Sequence, residues 1–504
     1  MGQLPFLFGC HALTARRKGM SSLRVPCNAV KGREFMGIVS RVWLIKKNLL
    51  TDGDVVRTYP EGDSYEALTD ECPEGLSSTL GGRHERISAG PPFSFFARAP
   101  GLRWLPRMLV FAAILMSWSD GPTLGKRLDI ARKTLTAMFP SRRTVGKTYQ
   151  GFLAALLLLH PRLLAVVTLQ LRRTLESMAG PYWTREGIRA FAVDGSRIEC
   201  PRTGANEVAF GCAGKKGCGP QMWLTTLWHM GTGLPWAWKQ GRSDDCERHH
   251  LREMLDLLPA GALVVGDAGF VGYDLLRGIL AGGRSFLVRV GGNVRLLKEL
   301  GWVKRYGEDT VFLWPQKYRR QEPLVLRLIE LQRSGKKVYL LTNQLPESLS
   351  PRQAGVLYGM RWGIEVFYRS LKQTLEHRTM RSRAPDPARA ELAWSLVGLQ
   401  LMGLMSVREM IAAHADPLGW SVAATRDLVL QAMQGRGGRT LGIGGWKKRL
   451  AGCLKDNYVR THGKKSRDWP DRKHDRPPGP PKTTIASEKE VQQAQQVLVK
   501  LMAA

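Results

Sequence analysis

Four residues stand at helical spacing in the segment LSPRQAGVLYGMRWGIEVFYRSLKQTLEHR: Tyr358, Arg361, Glu365 and Lys372. At about 100° per residue they fall within roughly 60° of one another, so one face carries an acid, a phenol and two bases. Leu357, Met360, Ile364, Phe367, Leu371 and Leu375 form a separate apolar stripe, roughly 110° away, that suits burial. Ser350, Pro351 and Gln353 supply a capping box and a first-turn proline. An amphipathic helix with a salt-bridged flank would explain this much. Two upstream aspartates argue for more. Asp194 closes the apolar run IRAFAV and Asp267 closes ALVVG, each followed by a small residue and then Gly or Ser. Acids at strand ends project into the crevice beside a sheet, where ligands usually bind. Asp244, Asp245 and Asp256 fail that test, since they fall in a turn or on a helix.

Three carboxylates without thiolates or a convincing histidine set suit a hard divalent cation held through oxygen, Mg²⁺ or Mn²⁺. Two such ions, about 3.5–4 Å apart, can activate a water or a DNA 3′-hydroxyl and stabilise the leaving oxygen. Arg361 would then grip phosphate in a bidentate manner and Lys372 as a point charge.

The elements that must position these groups follow from hydrophobic period. Residues 188–194, 221–229 and 234–239 read as strands, 247–258 as a helix, and 262–266 as a strand buried on both faces. A helix over 273–280 and a strand over 286–290 complete the series. This is the element order of a ribonuclease H-like sheet. The expected class is therefore α/β, a mixed sheet flanked by helices. Residues 1–107 show no persistent period and read as a poorly structured extension, or as an upstream start with Met108 the true one. Residues 108–180 read as a helical DNA-binding region, and 181–290 with 351–411 as the catalytic core, its last helix continuous from Pro351 to about Ile411. Residues 291–350 read as a β-rich insertion with strands at 311–314, 324–329 and 338–341. Residues 412–504 read as helix, then a basic, Gly- and Pro-rich, largely disordered tail, with a short helix from about Ser487.

The 504-residue chain carries 75 Lys and Arg against 43 Asp and Glu, a formal net charge of +32. Such a surplus favours a polyanionic partner. The eight cysteines show no C-x-x-C pair. Cys200, Cys212, Cys218, Cys246, His249 and His250 could converge on a metal, but small core thiols in a reducing cytosol fit better. The apolar run from Leu109 is too short to span a membrane, and His160, Pro161 and Arg162 interrupt the one from Gly151. Both read as buried helices of a soluble protein.

The spacing Y-x2-R-x3-E-x6-K resembles the signature of bacterial DDE transposases of the insertion-sequence-4 type. VDGSRIE around Asp194 and VVGDAGFVGYDLL around Asp267 are similar to that family's two aspartate motifs. The resemblance covers roughly residues 108–410. It implies that Asp194, Asp267 and Glu365 are catalytic and bind two Mg²⁺ or Mn²⁺ ions. It also implies that Tyr358, Arg361 and Lys372 hold DNA phosphates, while Trp362 stacks on a displaced base or packs. Relatives that form DNA hairpins use a tryptophan in the β insertion, for which Trp302 and Trp314 are candidates. The expected partners are double-stranded DNA, at element ends and target, and a second copy on that DNA; no membrane is expected, and the setting is the bacterial cytoplasm at the nucleoid. The expected function is a transposase, an endonuclease and strand transferase. The alternatives are an inactive DNA-binding descendant, which an intact triad argues against, and a metal-dependent nuclease unrelated to transposition.

Overall fold

A segment that is apolar on every side must be covered on every side, and Pro106–Trp118 (α1; PRMLVFAAILMSW) is buried along most of its length. Leu124–Met138 (α2) and Tyr149–Ala179 (α3) are each capped by the preceding threonine, whose hydroxyl accepts from the backbone N–H three residues on, Lys126 and Gly151 respectively. The computed structural model describes residues 104–139, 145–212, 218–292, 294–298, 310–313, 322–333, 336–434, 443–456 and 479–503. The expected N-terminal extension up to residue 103, the basic stretch 457–478, and Trp302 and Trp314 lie outside the described residues.

Helix α3 departs from the buried helix expected. It runs unbroken through Pro161, with Phe152, Leu156, Leu163, Val167, Leu171 and Leu175 turned inward, while Leu158 is 65% and Leu169 41% exposed. The helix that fills the core is a later one, Pro385–Ala412, buried almost throughout. Among the described residues both helices are long and apolar enough to cross a membrane, yet both pack on the sheet and on each other.

Among the described residues ten strands form one sheet in the order β10-β6-β7-β8-β9-β5-β4-β1-β2-β3. Its first half is Ala190–Glu199 (β1), Gln221–His229 (β2), Leu234–Arg242 (β3), Leu263–Gly266 (β4) and Ser285–Val290 (β5). Strands β1, β4 and β5 are parallel, and β2 and β3 extend the sheet antiparallel from β1. Gly204–Phe210 (α4) follows β1, Glu247–Met254 (α5) lies between β3 and β4, and Tyr273–Ala281 (α6) between β4 and β5. The strands of the expected insertion, Arg295–Lys298 (β6), Thr310–Leu313 (β7), Leu324–Arg333 (β8) and Lys336–Thr342 (β9), continue the same sheet, because β9 pairs antiparallel with β5. Lys482–Ile485 (β10), inside the expected tail, adds a parallel edge to β6.

The long final helix of the core is interrupted. Ser350 and Gln353 form the expected capping box of Pro351–Met360 (α7), and Trp362–Arg369 (α8) follows after a break at Arg361. Ser370–Thr374 make a π turn, and helix resumes only at Pro385 (α9, Pro385–Ala412). The intervening backbone finds its hydrogen bonds on β1 instead: Glu199 N donates to Arg378 O at 3.0 Å, and Met380 N to Glu199 O at 2.8 Å. Val422–Met433 (α10), Ile443–Ala451 (α11) and Glu488–Ala503 (α12) complete the chain, the last near the short helix expected from residue 487.

Candidate active site

Strand β1 continues past its expected end. It pairs with β2 over nearly its whole length but with β4 only through Ala190, Phe191 and Ala192. Asp194 is therefore a mid-strand residue, on a stretch whose other edge β4 no longer covers. The pair Ala192 and Val265 is in register, and side chains alternate with period two. Two residues further on, Asp194 and Asp267 follow on the same face, at the mouth left where β4 ends at Gly266. Each aspartate is fixed locally: Asp194 Oδ1 accepts from Gly195 N at 2.9 Å, and Asp267 Oδ1 from Gly269 N at 2.8 Å.

Helix α8 delivers the third acid. Tyr368, buried, donates from its hydroxyl to the Asp194 carbonyl at 2.7 Å, which ties the helix to the strand beside the carboxylate. Gly363 lets the same helix lie against Trp228 of β2, where a Cβ would meet the indole at 2.2 Å. Arg361 then bridges two acids: Nη2 donates to Glu365 Oε1 at 3.1 Å, and Nη1 lies 3.8 Å from Asp194 Oδ2. Its guanidinium is also 5.8 Å from the Tyr358 ring centroid. Lys372 sits in the π turn, and its Nζ donates to Ser196 Oγ at 2.7 Å, two residues past Asp194 on β1. Trp362 is 56% exposed.

A fourth acid joins them that the residue pattern did not single out. Glu247 opens α5, and a Cβ on Gly195 would lie 2.5 Å from its Oε2, one on Gly269 2.9 Å from its Oε1. The glycines that follow the two aspartates are thus the space into which Glu247 fits. An acid in a helix's first turn ordinarily serves the helix dipole, so DDCERHH gave no distinguishing signal; the small residues after each aspartate were the only trace.

Electrostatics mark the same place. Burial first, then the neighbouring Asp267 and Glu365, push Asp194 up to about 6, against the backbone hydrogen bond and Arg361. Burial, followed by Asp267 and Asp194, pushes Glu247 up to about 7. Burial works to lower the Arg361 pKa, but Tyr358 and the acids Asp194, Asp267 and Glu365 outweigh it and hold the group charged. Burial lowers Lys372. Among the described residues no three acids, histidines or cysteines stand close enough to share one ion as they are arranged. The donor set nevertheless fits a hard cation: it is all oxygen, its acids repel one another, and the guanidinium of Arg361 supplies the positive charge between two of them.

Among the described residues the cysteines do not make a second centre. Cys200 and Cys453 are buried, as small core thiols are expected to be, but Cys212 and Cys246 are exposed. His250 bonds Thr225 and Asp245, and His249 pairs with Glu253.

Three comparisons bear on this arrangement. Residues 185–400 match a family model described as the transposase DDE domain. The chain is 27% identical over 243 residues to the transposase InsG for insertion sequence element IS4 of Escherichia coli strain K12, covering 44% of this chain and 54% of that protein. Among solved structures, a piggyBac transposase synaptic complex with hairpin DNA matches at 11% identity and a TM-score of 0.34, over 73% of this chain and 80% of that one.

Proposed function

We propose that the protein, whose residues 185–400 match a transposase DDE domain model, is a transposase of the insertion-sequence-4 type that cuts DNA at the ends of a mobile element and joins them to target DNA. The observation that carries the reading is the convergence of Asp194, Asp267 and Glu365 on one crevice, with Arg361 between them. We read β3-β2-β1-β4-β5 with its flanking helices as a ribonuclease H-like core.

In this proposal Asp194, Asp267 and Glu365 hold a pair of Mg²⁺ or Mn²⁺ ions, and Glu247 stands with them as a fourth acid. Bound there, the ions would polarise the scissile phosphate and make the attacking water or 3′-hydroxyl more acidic. The chain's own residues do the rest. Arg361, already held charged among the acids, turns its fork to a phosphate oxygen pair when DNA enters. Tyr358 backs that guanidinium, and Lys372, anchored on Ser196, offers a point charge to the next phosphate. Trp362, exposed beside the site, is free to stack on a displaced base. Hydrolysis and strand transfer are both in-line attacks on a phosphodiester, so one site serves both. The protein would act in the bacterial cytoplasm on nucleoid DNA, as a pair of copies holding two ends.

The test uses the element's own terminal repeats. Incubated with Mg²⁺ or Mn²⁺, the protein should nick a duplex at the repeat boundary and leave a scrambled duplex intact. Equal cutting of both would reduce the reading to a plain nuclease.

A further inference from the structure

Helices α1, α2, α3 and α9 meet the segment between the π turn and α9 around a cavity of about 50 Å³. That is room for roughly four waters or one tetrahedral oxyanion. Three of the side chains lining it, Arg127, His377 and Trp394, are nearly closed off from solvent, at 2%, 1% and 2% exposed. Arg127 Nη2 and Trp394 Nε1 have no hydrogen-bond partner in the protein. Neither ring nitrogen of His377 completes one, although the Ser117 backbone lies close. Buried polar atoms are ordinarily satisfied, so three such side chains on one space point to an occupant.

The charges around Arg127 point to its sign. Glu376, half exposed and held at φ 59°, faces Arg127, Arg381 and Arg426 at 3.8, 3.6 and 3.7 Å, each too long for a hydrogen bond. Glu391 engages its oxygens on the backbone N–H groups of Arg381 and Ser382. Three cations against these two anions leave one positive charge over. Burial first, then Arg381, lowers Arg127 to about 10, against the pull of both acids.

We propose that this cavity binds free inorganic phosphate, with Arg127 and Trp394 donating to its oxygens and His377 donating from one ring nitrogen while accepting from a P–OH at the other. Water fits less well. Arg and Trp only donate, so waters held by them would lack acceptors for their own hydrogens. Burial, then the charge of Arg127, lowers His377 to about 3, so its ring is neutral and offers one donor and one acceptor. Inorganic phosphate keeps a proton at neutral pH and matches both, whereas sulfate has none to give. A DNA phosphodiester also lacks the P–OH, and Arg127 and His377 lie too deep for a duplex to reach. His377 N donates to Leu371 O at 3.1 Å, beside Lys372 in the π turn. A phosphate here therefore bridges the N-terminal helices to the segment that carries Lys372. The site is read from these residues alone and does not rest on the function proposed above.

Isothermal titration calorimetry of the full chain with inorganic phosphate tests this. One phosphate should bind per chain with a Kd below about 1 mM, and sulfate roughly tenfold more weakly. Arg127→Gln should weaken phosphate by about a hundredfold or more. Arg127 also donates from Nε to Gly121 O at 2.9 Å, so that variant tests folding as well as binding. Trp394→Phe separates the two: it keeps an aromatic ring, removes one N–H, and should weaken phosphate roughly tenfold with circular dichroism unchanged. Lys372→Ala, in the acidic crevice, should leave the affinity within about twofold of wild type. No saturable heat up to about 10 mM phosphate would leave the cavity to water and overturn the proposal. Weakening by Lys372→Ala but not by Trp394→Phe would put the ion in the crevice and overturn it too. Sulfate bound as tightly as phosphate overturns the role given to His377. Displacement of phosphate by a 5′-phosphorylated duplex overturns the free ion as occupant.

Discussion

Helix α9 and the acidic crevice are both largely shielded from water, yet they are filled in opposite ways. From Leu392 to Val407 every α9 side chain is buried, and three of its polar side chains bond neighbours: Gln400 donates to Pro235 O, Ser395 to Glu391 O, and Ser406 bonds Thr425. The crevice instead gathers Asp194, Asp267, Glu365 and Glu247 around one guanidinium, and two of those acids are pushed far from their ordinary range. One region spends its residues on stability, and the other stores repulsion that only an added positive charge relieves. That division is the usual cost of a poised site.

Cutting into the apolar layer should produce the largest loss. Trp118 of α1 is 1% exposed and donates Nε1–H to Gly398 O of α9 at 2.9 Å. Trp118→Ala should lower stability in urea by about 3–5 kcal/mol; a loss under about 1 kcal/mol would mean that the layer is not packed as described. Acid should strain regions outside the crevice next. Burial, its largest cause, holds His229 down at about 4 and His377 at about 3. Unfolded histidines bind protons near pH 6.5, so above that neither matters, and below it the unfolded state takes up protons that the folded state refuses. Each histidine should therefore contribute a fall of about 1.4 kcal/mol per pH unit between pH 6.5 and 5, opposed over the same window by Glu247 and Asp194, whose raised pKa values let the folded state take up protons. His377→Gln should remove one histidine's share and shift the pH slope by about 1.4 kcal/mol per pH unit, and an unchanged slope would exclude His377 as a contributor.

The crevice should answer in the other direction. In chelator-treated protein Asp194→Asn removes a buried negative charge among others and should raise stability by about 1–2 kcal/mol, while ending cleavage. Destabilisation in chelator would remove the contrast with α9. The smallest effect belongs to Lys372→Ala, which should weaken binding to end DNA by roughly 1 kcal/mol and lower its salt slope by about one. Its proton-independent metal affinity should stay near wild type; a collapse of metal affinity would place Lys372 in another role.

The parts of this comparison differ in how far they were legible. Strand 221–229 and the short strand before Asp267 stand where period-two alternation and a continuous apolar run place them. The polar half of β1, DGSRIE, carries no apolar run, and beyond Ala192 it pairs with β2 but no longer with β4, so the apolar pattern ends the strand at Asp194. The helix after Pro351 reads as continuous because its apolar stripe persists to Leu375; the break comes from a tertiary bargain, the pairing of Arg378 and Met380 with Glu199. Glu247 was invisible for a similar reason, since its meaning depends on two glycines distant in sequence. The exposure of α3 was equally hidden, because composition alone does not say which helix wins the core.

The central claim, that Glu365 completes a cation-dependent site acting on DNA, is tested most directly by Glu365→Gln. This change keeps the side chain's shape and removes one negative charge beside Arg361. A gel shift with end DNA in Ca²⁺, paired with strand cleavage in Mg²⁺ or Mn²⁺, should show binding retained or improved and cleavage lost by about a hundredfold or more. Cleavage at the wild-type rate would make Glu365 a surface residue of an amphipathic helix and contradict the account.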